Sequence, residues 1–280
     1  MKNLLNLTTT IIVAGIAGAA AQELVKKVWN QSEKWLNVYF KDHQPKAIEK
    51  SRENALDFLI DLGNRISALE KSSDDDEAYK KKLLRSLSDP DFSAVLKDAI
   101  IASARTNSEI KHRLLARAVS EKLINKPETT ESLIINKAVE TIPHLSPKHL
   151  NLLAMQITIY LGSTLISEEF GSDELCELYF TFLSSVAEAV LPIELEENID
   201  IDYLISLSCL SFYRMSKPIE TFLSKNNECD VKRFLASETG AKIENFWKNT
   251  DNRRITTLGL FLGLFALAEI EGIDLDNDIS

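Results

Sequence analysis

Proline and glycine are scarce in this chain, seven and nine among 280 residues. A turn-rich sandwich or barrel needs many more of both, so an all-β fold is excluded. Strand-like alternation of Val, Thr and aromatics is equally hard to find, while Leu, Ile, Ala, Glu, Lys and Ser dominate, as packed helices require. Only three cysteines are present, Cys176, Cys209 and Cys229, with no CxxC pair, which excludes a zinc ribbon and a vicinal dithiol. An odd, widely spaced set fits reduced thiols better than a secreted disulfide framework.

Familiar catalytic signatures are missing too. Neither a phosphate-binding GxxxxGK nor a nucleophile-elbow GxSxG occurs. His144 and His149 are five apart with Pro147 between them, which is not the spacing of a zinc-protease helix. Asp274, Asp276 and Asp278 alternate like the start of a calcium loop. The sixth position is Ile279 rather than Gly, and no twelfth-position Glu follows. No catalytic residue, cofactor or metal site is expected, and a non-enzyme is the better expectation.

Charge is unevenly spread. Residues 1–128 hold 21 Lys and Arg against 18 Asp and Glu, whereas residues 129–280 hold 11 against 24. The acidic half repels phosphate backbones, so nucleic acid is not an expected partner. The slightly basic half is the one suited to an anionic lipid surface.

From Asn3 to Gln22 no residue is charged. Twenty helical residues cover about 30 Å, the hydrocarbon thickness of a bilayer. Ile11 and Ile12 lie beside Ala14, Gly15, Ala17 and Gly18, small residues that allow close helix approach. Three readings compete: a single transmembrane helix, a buried helix in a soluble oligomer, and a signal peptide ending at Ala19-Ala20-Ala21. Lys26 and Lys27 follow the run and only Lys2 precedes it. A spanning helix would therefore place the body at the cytoplasmic face of the inner membrane, with the cytoplasm as the alternative location. An amphipathic helix continues from the run. Trp29 and Trp35 on its apolar face are candidates for membrane or oligomer contact, together with Ile11, Ile12, Gly15 and Gly18.

The fold class expected is all-α, a multi-helix bundle with a long hydrophobic N-terminal helix and at most one short strand or hairpin near the C-terminus. Residues 1–44 form the hydrophobic then amphipathic helix. Residues 45–71 form a heptad-like helix with apolar Ile48, Ala55, Leu59, Leu62, Ile66 and Leu69, broken by Arg52. Residues 77–280 form a helical domain with a possible sub-boundary near 163–172. Caps and prolines predict helices near 77–88, 90–104, 108–125, 131–142, 147–162, 173–191, 201–215, 218–226, 229–238 and 241–249. Glu194–Asp202 reads as a loop. Arg253–Gly259 reads as a short strand entering a last apolar helix, where Gly259 and Gly263 form GxxxG.

Several stretches are familiar in combination: Tyr39–Ala47, Glu53–Leu59, Asp89–Phe92, Ser103–Asn107 and His112–Arg117. Together they resemble a family of bacterial proteins catalogued under locus-tag names, with no activity assigned. More loosely, the plan is similar to the Abi-alpha family of abortive infection. The shared features are a long N-terminal helix, a helix after an Asp-rich turn, Ile142–Pro147, and a late turn, here Ile255–Gly259. That likeness implies phage defence, with a phage or host protein as trigger.

The densest polar constellation is Arg105, Glu109, His112, Arg113, Arg117 and Glu121. Its members at i,i+4 spacing share a helical face. One reading is an anion clamp of Arg105, Arg113 and Arg117 with His112 as acid/base. The other is a salt-bridged interhelical surface involving Arg105, His112, Arg113, Arg117 and Glu121. The leading expectation is a membrane-associated helical protein that self-associates as a homo-oligomer. The alternatives are a soluble homo-oligomeric scaffold and a cryptic enzyme using the 105–121 face.

Overall fold

A computed structural model describes residues 19–71, 81, 85–86, 88–165, 173–191, 199–212, 218–223, 230–250 and 253–272. Described residues are overwhelmingly helical, with one two-stranded antiparallel pair, so the chain is all-α. It divides into two compact units, Met1–His144 and Leu145–Ser280. Of the sub-boundary expected near 163–172, residues 166–172 lie outside the described residues, as does most of the helix expected over 77–88.

The first unit is built on α1 (Ala19–Tyr39), α2 (Pro45–Lys71), α3 (Pro90–Ala104), α4 (Glu109–Ile124), α5 (Thr130–Thr141) and a 3₁₀ turn, Ile142–His144. Helix α2 is the hub, packed on by α1, α3 and α4. Its apolar stripe explains why. Ala55, Phe58, Leu59, Leu62 and Ile66 are fully buried, and each large side chain contributes about 1.5–3 kcal/mol on leaving water. The heptad seam is thus consumed inside the unit. Arg52, which interrupts it, donates from Nη2 to Asn37 Oδ1 on α1 at 2.8 Å.

The described part of the N-terminal helix is amphipathic rather than apolar throughout. Val25, Val28, Trp29 and Leu36 are buried, and Lys26, Lys27, Asn30 and Lys34 are exposed. The long hydrophobic helix expected at the N-terminus falls mainly on residues 1–18, outside the described residues. Among the described residues no helix is long and apolar enough to cross a membrane.

Helix α3 starts where the Asp-Pro pair places it. Asp89 Oδ1 accepts the Asp91 and Phe92 N–H groups at 2.8 and 3.4 Å, and Pro90 takes the first helical position, where no N–H is needed.

The second unit comprises α6 (Pro147–Leu165), α7 (Asp173–Val190), α8 (Ile199–Ser206), β1 (Leu210–Phe212), α9 (Ile219–Leu223), α10 (Val231–Leu235), α11 (Glu238–Thr250), β2 (Arg253–Ile255) and α12 (Thr257–Glu271). The second unit departs from two sequence expectations. The helix expected over 201–215 ends at Ser206, because Ser208 takes a left-handed conformation (φ 61°) and the chain then turns into β1. The acidic loop expected through Asp202 is already helical from Ile199. Asp200 and Asp202 occupy the first turn of α8, where carboxylates are favoured by the helix dipole.

Strand β1 pairs with β2, Leu210 opposite Ile255 and Phe212 opposite Arg253. Immediately after β2, Thr256 caps α12. Its Oγ1 accepts the Gly259 N–H at 3.0 Å and donates to Ser208 O at 2.6 Å. The GxxxG pair brings α12 against its neighbours. A Cβ on Gly259 would lie 2.0 Å from Cys209 O, and one on Gly263 would lie 2.8 Å from Leu153 O on α6. Cys209 is a free, buried thiol, whereas Cys176 is disulfide-bonded, so the three cysteines are not all reduced as their spacing suggests.

Candidate functional site

The Arg/His/Glu constellation lies on α4 and the loop before it, and the fold distributes it over three environments. Glu109 and Arg113 sit at the surface as an i,i+4 pair 3.8 Å apart, a contact of at most a few tenths of a kcal/mol. His112 and Arg117 point inward, each 2 % exposed. Glu121 is half-buried, and Arg105 is exposed at the end of α3.

His112 is a fastener. Its Nε2 lies 2.9 Å from Thr106 O and 3.2 Å from Ser103 O. Two carbonyl oxygens require Nε2 to carry the proton and donate, which ties the α3–α4 loop to α4. The ring therefore closes a turn, and no solvent-facing nitrogen is offered to a substrate along this side. Lys111 adds a second tie, donating to Pro143 O at 2.9 Å, and burial lowers its pKa.

Two further polar groupings come into view only in three dimensions. In the first unit the Lys122 side chain is 3 % exposed, and its ammonium lies 2.6 Å from Asp91 Oδ2. The same ammonium donates to the Ser132 hydroxyl and to Ser132 O, the latter at 3.4 Å. Asn136 Nδ2 donates to Asp91 Oδ1 at 3.1 Å. A Ser–Lys pair is one way to activate a nucleophile, but Ser132 is fully buried on the first turn of α5, so its hydroxyl has no access to a substrate. The adjoining cleft, lined by Asp89, Asp91 and Lys122, holds 270 Å³, below the range of most small-molecule pockets.

In the second unit Ser146, His149 and Asp200 meet, the residue types of a hydrolase triad. Their geometry is different. The His149 N–H donates to Ser146 Oγ at 3.2 Å while the Ser146 N–H donates to His149 Nδ1 at 3.1 Å. That reciprocal pattern is a capping box with histidine in place of the usual Glu or Gln. Because Nδ1 accepts, Nε2 carries the proton and points at Asp200 Oδ1, 3.2 Å away. Lys148 Nζ lies 2.6 Å from Asp200 Oδ2, and Tyr203 stacks on the imidazole with centroids 5.0 Å apart. Both ring nitrogens are occupied, so the ring is unavailable as base to the serine. The box was readable as Ser-Pro-Lys-His; Asp200, 51 residues on from His149, carried no local signal.

Of the membrane or oligomer candidates, Ile11, Ile12, Gly15 and Gly18 lie outside the described residues. Trp29 is 3 % exposed and Trp35 half-buried, so the aromatic face of α1 packs into the first unit. Among the described residues no cluster of three or more His, Cys, Asp or Glu could hold a metal ion.

A family model matches residues 24–258, that of an uncharacterised, locus-tag-named family. No curated protein and no solved structure matches the chain.

Proposed function

We propose, from the premise that the chain belongs to this locus-tag-named family, that it is a membrane-tethered helical module that self-associates. In this reading its body lies on the cytoplasmic side and does no chemistry of its own. The observation carrying the reading is the uncharged run Asn3–Gln22: its last four residues begin α1, where Ala21 is fully buried, and the preceding stretch Asn3–Gly18 would reach about 24 Å as a helix, close to the hydrocarbon thickness of a bilayer. The run leads directly into α1, whose apolar face is already spent on α2 and α3. Whatever the run inserts into is therefore coupled to the first unit through a packed helix. The small-residue face of Ala14, Gly15, Ala17 and Gly18 supports assembly of several copies within the bilayer. The loose likeness of sequence pattern to Abi-alpha proteins is what suggests antiviral defence as the context, triggered by a phage or host protein. Carbonate-washed membranes test the tether: the full chain stays in the pellet, and its release into the supernatant would overturn the proposal.

A second reading, a soluble homo-oligomeric scaffold, is favoured by one observation. Trp29, the residue best suited to a lipid interface, is buried in the bundle instead. Removing residues 1–18 separates the two. A tether loses membrane recovery on deletion, whereas the scaffold loses its oligomers and keeps its location.

A further inference from the structure

We infer that the first unit carries a binding cleft for a mononucleotide, an anion joined to a planar ring, at the end where the α1–α2 turn meets the α3–α4 loop. The cleft is an open depression of 560 Å³, room for a small ligand that keeps one side in solvent. Three features of its lining select the ligand.

The first is charge. Lys50 and Arg105 stand on the lining with His43, and no Asp or Glu among the described residues lines the cleft, in a chain whose net charge is −10. Such a sign reversal draws anions locally against the field of the whole molecule. Arg105 is exposed and forms no ion pair among the described residues. Lys50 pairs with Glu53, an exposed residue outside the lining, 3.0 Å away. That exposed pair is weak enough for a phosphate to compete with it.

The second is the floor. Asn54 is 4 % exposed, yet it lines the cleft, and its Nδ2 is committed to Ala104 O at 3.3 Å. The amide oxygen thus remains as a fixed acceptor at the base, suited to the N–H or O–H groups of a base or ribose.

The third is the aromatic wall. Phe40, 6 % exposed, is held edge-on between Tyr39 and His43, at centroid distances of 4.9 and 5.0 Å. Tyr39 and His43 are both exposed and both line the cleft, which places aromatic rings at its rim as stacking partners for a planar ring. A ring-free phosphate such as a lipid headgroup leaves the third feature unused.

Equilibrium dialysis of the full chain against AMP, GMP, CMP and UMP tests the inference, with inorganic phosphate and glycerol 3-phosphate as ring-free probes. At least one nucleotide binds saturably below about 1 mM, and the ring-free probes bind about tenfold or more weakly. The surface substitutions Lys50→Glu and Arg105→Glu each weaken nucleotide binding about tenfold or more while the thermal transition stays in place. Tyr39→Ala weakens the nucleotides and leaves the ring-free probes unaffected. Absence of binding by all four nucleotides overturns the inference. So does binding that survives both charge reversals, or equal affinity for glycerol 3-phosphate, which would reassign the cleft to a simple anion.

Discussion

Removing the Asp91 carboxylate strands a charge that the first unit cannot easily hydrate. The Lys122 side chain is 3 % exposed and that of Asp91 42 %. The two single variants are therefore expected to differ sharply. In Asp91→Ala the ammonium keeps only the Ser132 hydroxyl and carbonyl, and the first turn of α3 loses its favourable negative charge. Breaking a buried pair this way costs about 3–5 kcal/mol, and the helix-end charge adds a few tenths. Ser132 offsets part of it, leaving a loss of about 3 kcal/mol. In Lys122→Met the partner left behind is a half-exposed carboxylate that water can solvate, so the cost is about 1 kcal/mol or less. The double variant recovers most of the Asp91→Ala loss. In a Trp247→Phe background, urea unfolding followed by Trp29 and Trp35 fluorescence reports on the first unit, and these differences appear as shifts in midpoint at constant slope. Equal losses for the two single variants, or additive losses in the double variant, would refute the reasoning.

Three further outcomes follow from the second unit. Gly259→Ala and Gly263→Ala each drive a methyl into backbone, at 2.0 Å from Cys209 O and 2.8 Å from Leu153 O, and destabilise by about 2–3 kcal/mol. Gly272→Ala, left-handed but with open space around it, loses about 1 kcal/mol; thermal unfolding ranks the three. Burial pushes the Cys209 thiol up to about 12 from an ordinary 9.0, so the unfolded chain ionises first and stability falls as pH rises from about 9 toward 12. Denaturation at about pH 8 and about pH 10.5 shows a smaller loss for Cys209→Ala than for the natural chain, and equal losses would contradict the assignment. His149→Gln retains the capping box and stays within about 1 kcal/mol of the natural chain, whereas His149→Leu loses about 2 kcal/mol by calorimetry.

Local signals carried much of this fold. Asp89-Pro90 and Ser146-Pro147 marked helix starts because capping is a contact between near neighbours in the chain. The stripe Ala55, Leu59, Leu62 and Ile66 marked a core face because its period is set by the helix itself. What escaped the sequence was non-local. β1 was hidden within a stretch that reads as helix, since its partner lies more than forty residues away and Ser208 breaks the helix without a Gly or Pro to announce it. Lys122, Asp91, Ser132 and Asn136 come from three helices, so no spacing rule could group them. The Arg105–Glu121 ladder was visible as a pattern, but its period could not say that His112 and Arg117 face inward while Arg113 faces out. Arg105, read as part of that ladder, lines a different cleft beside His43 and Lys50, residues more than fifty positions earlier.

The tether itself is tested most directly by floating the purified full chain with anionic vesicles on a density gradient after a high-salt wash. The full chain rises with the lipid, and the same chain lacking residues 1–18 stays at the bottom. Full-length protein left at the bottom, or a truncated chain that still floats, would contradict it.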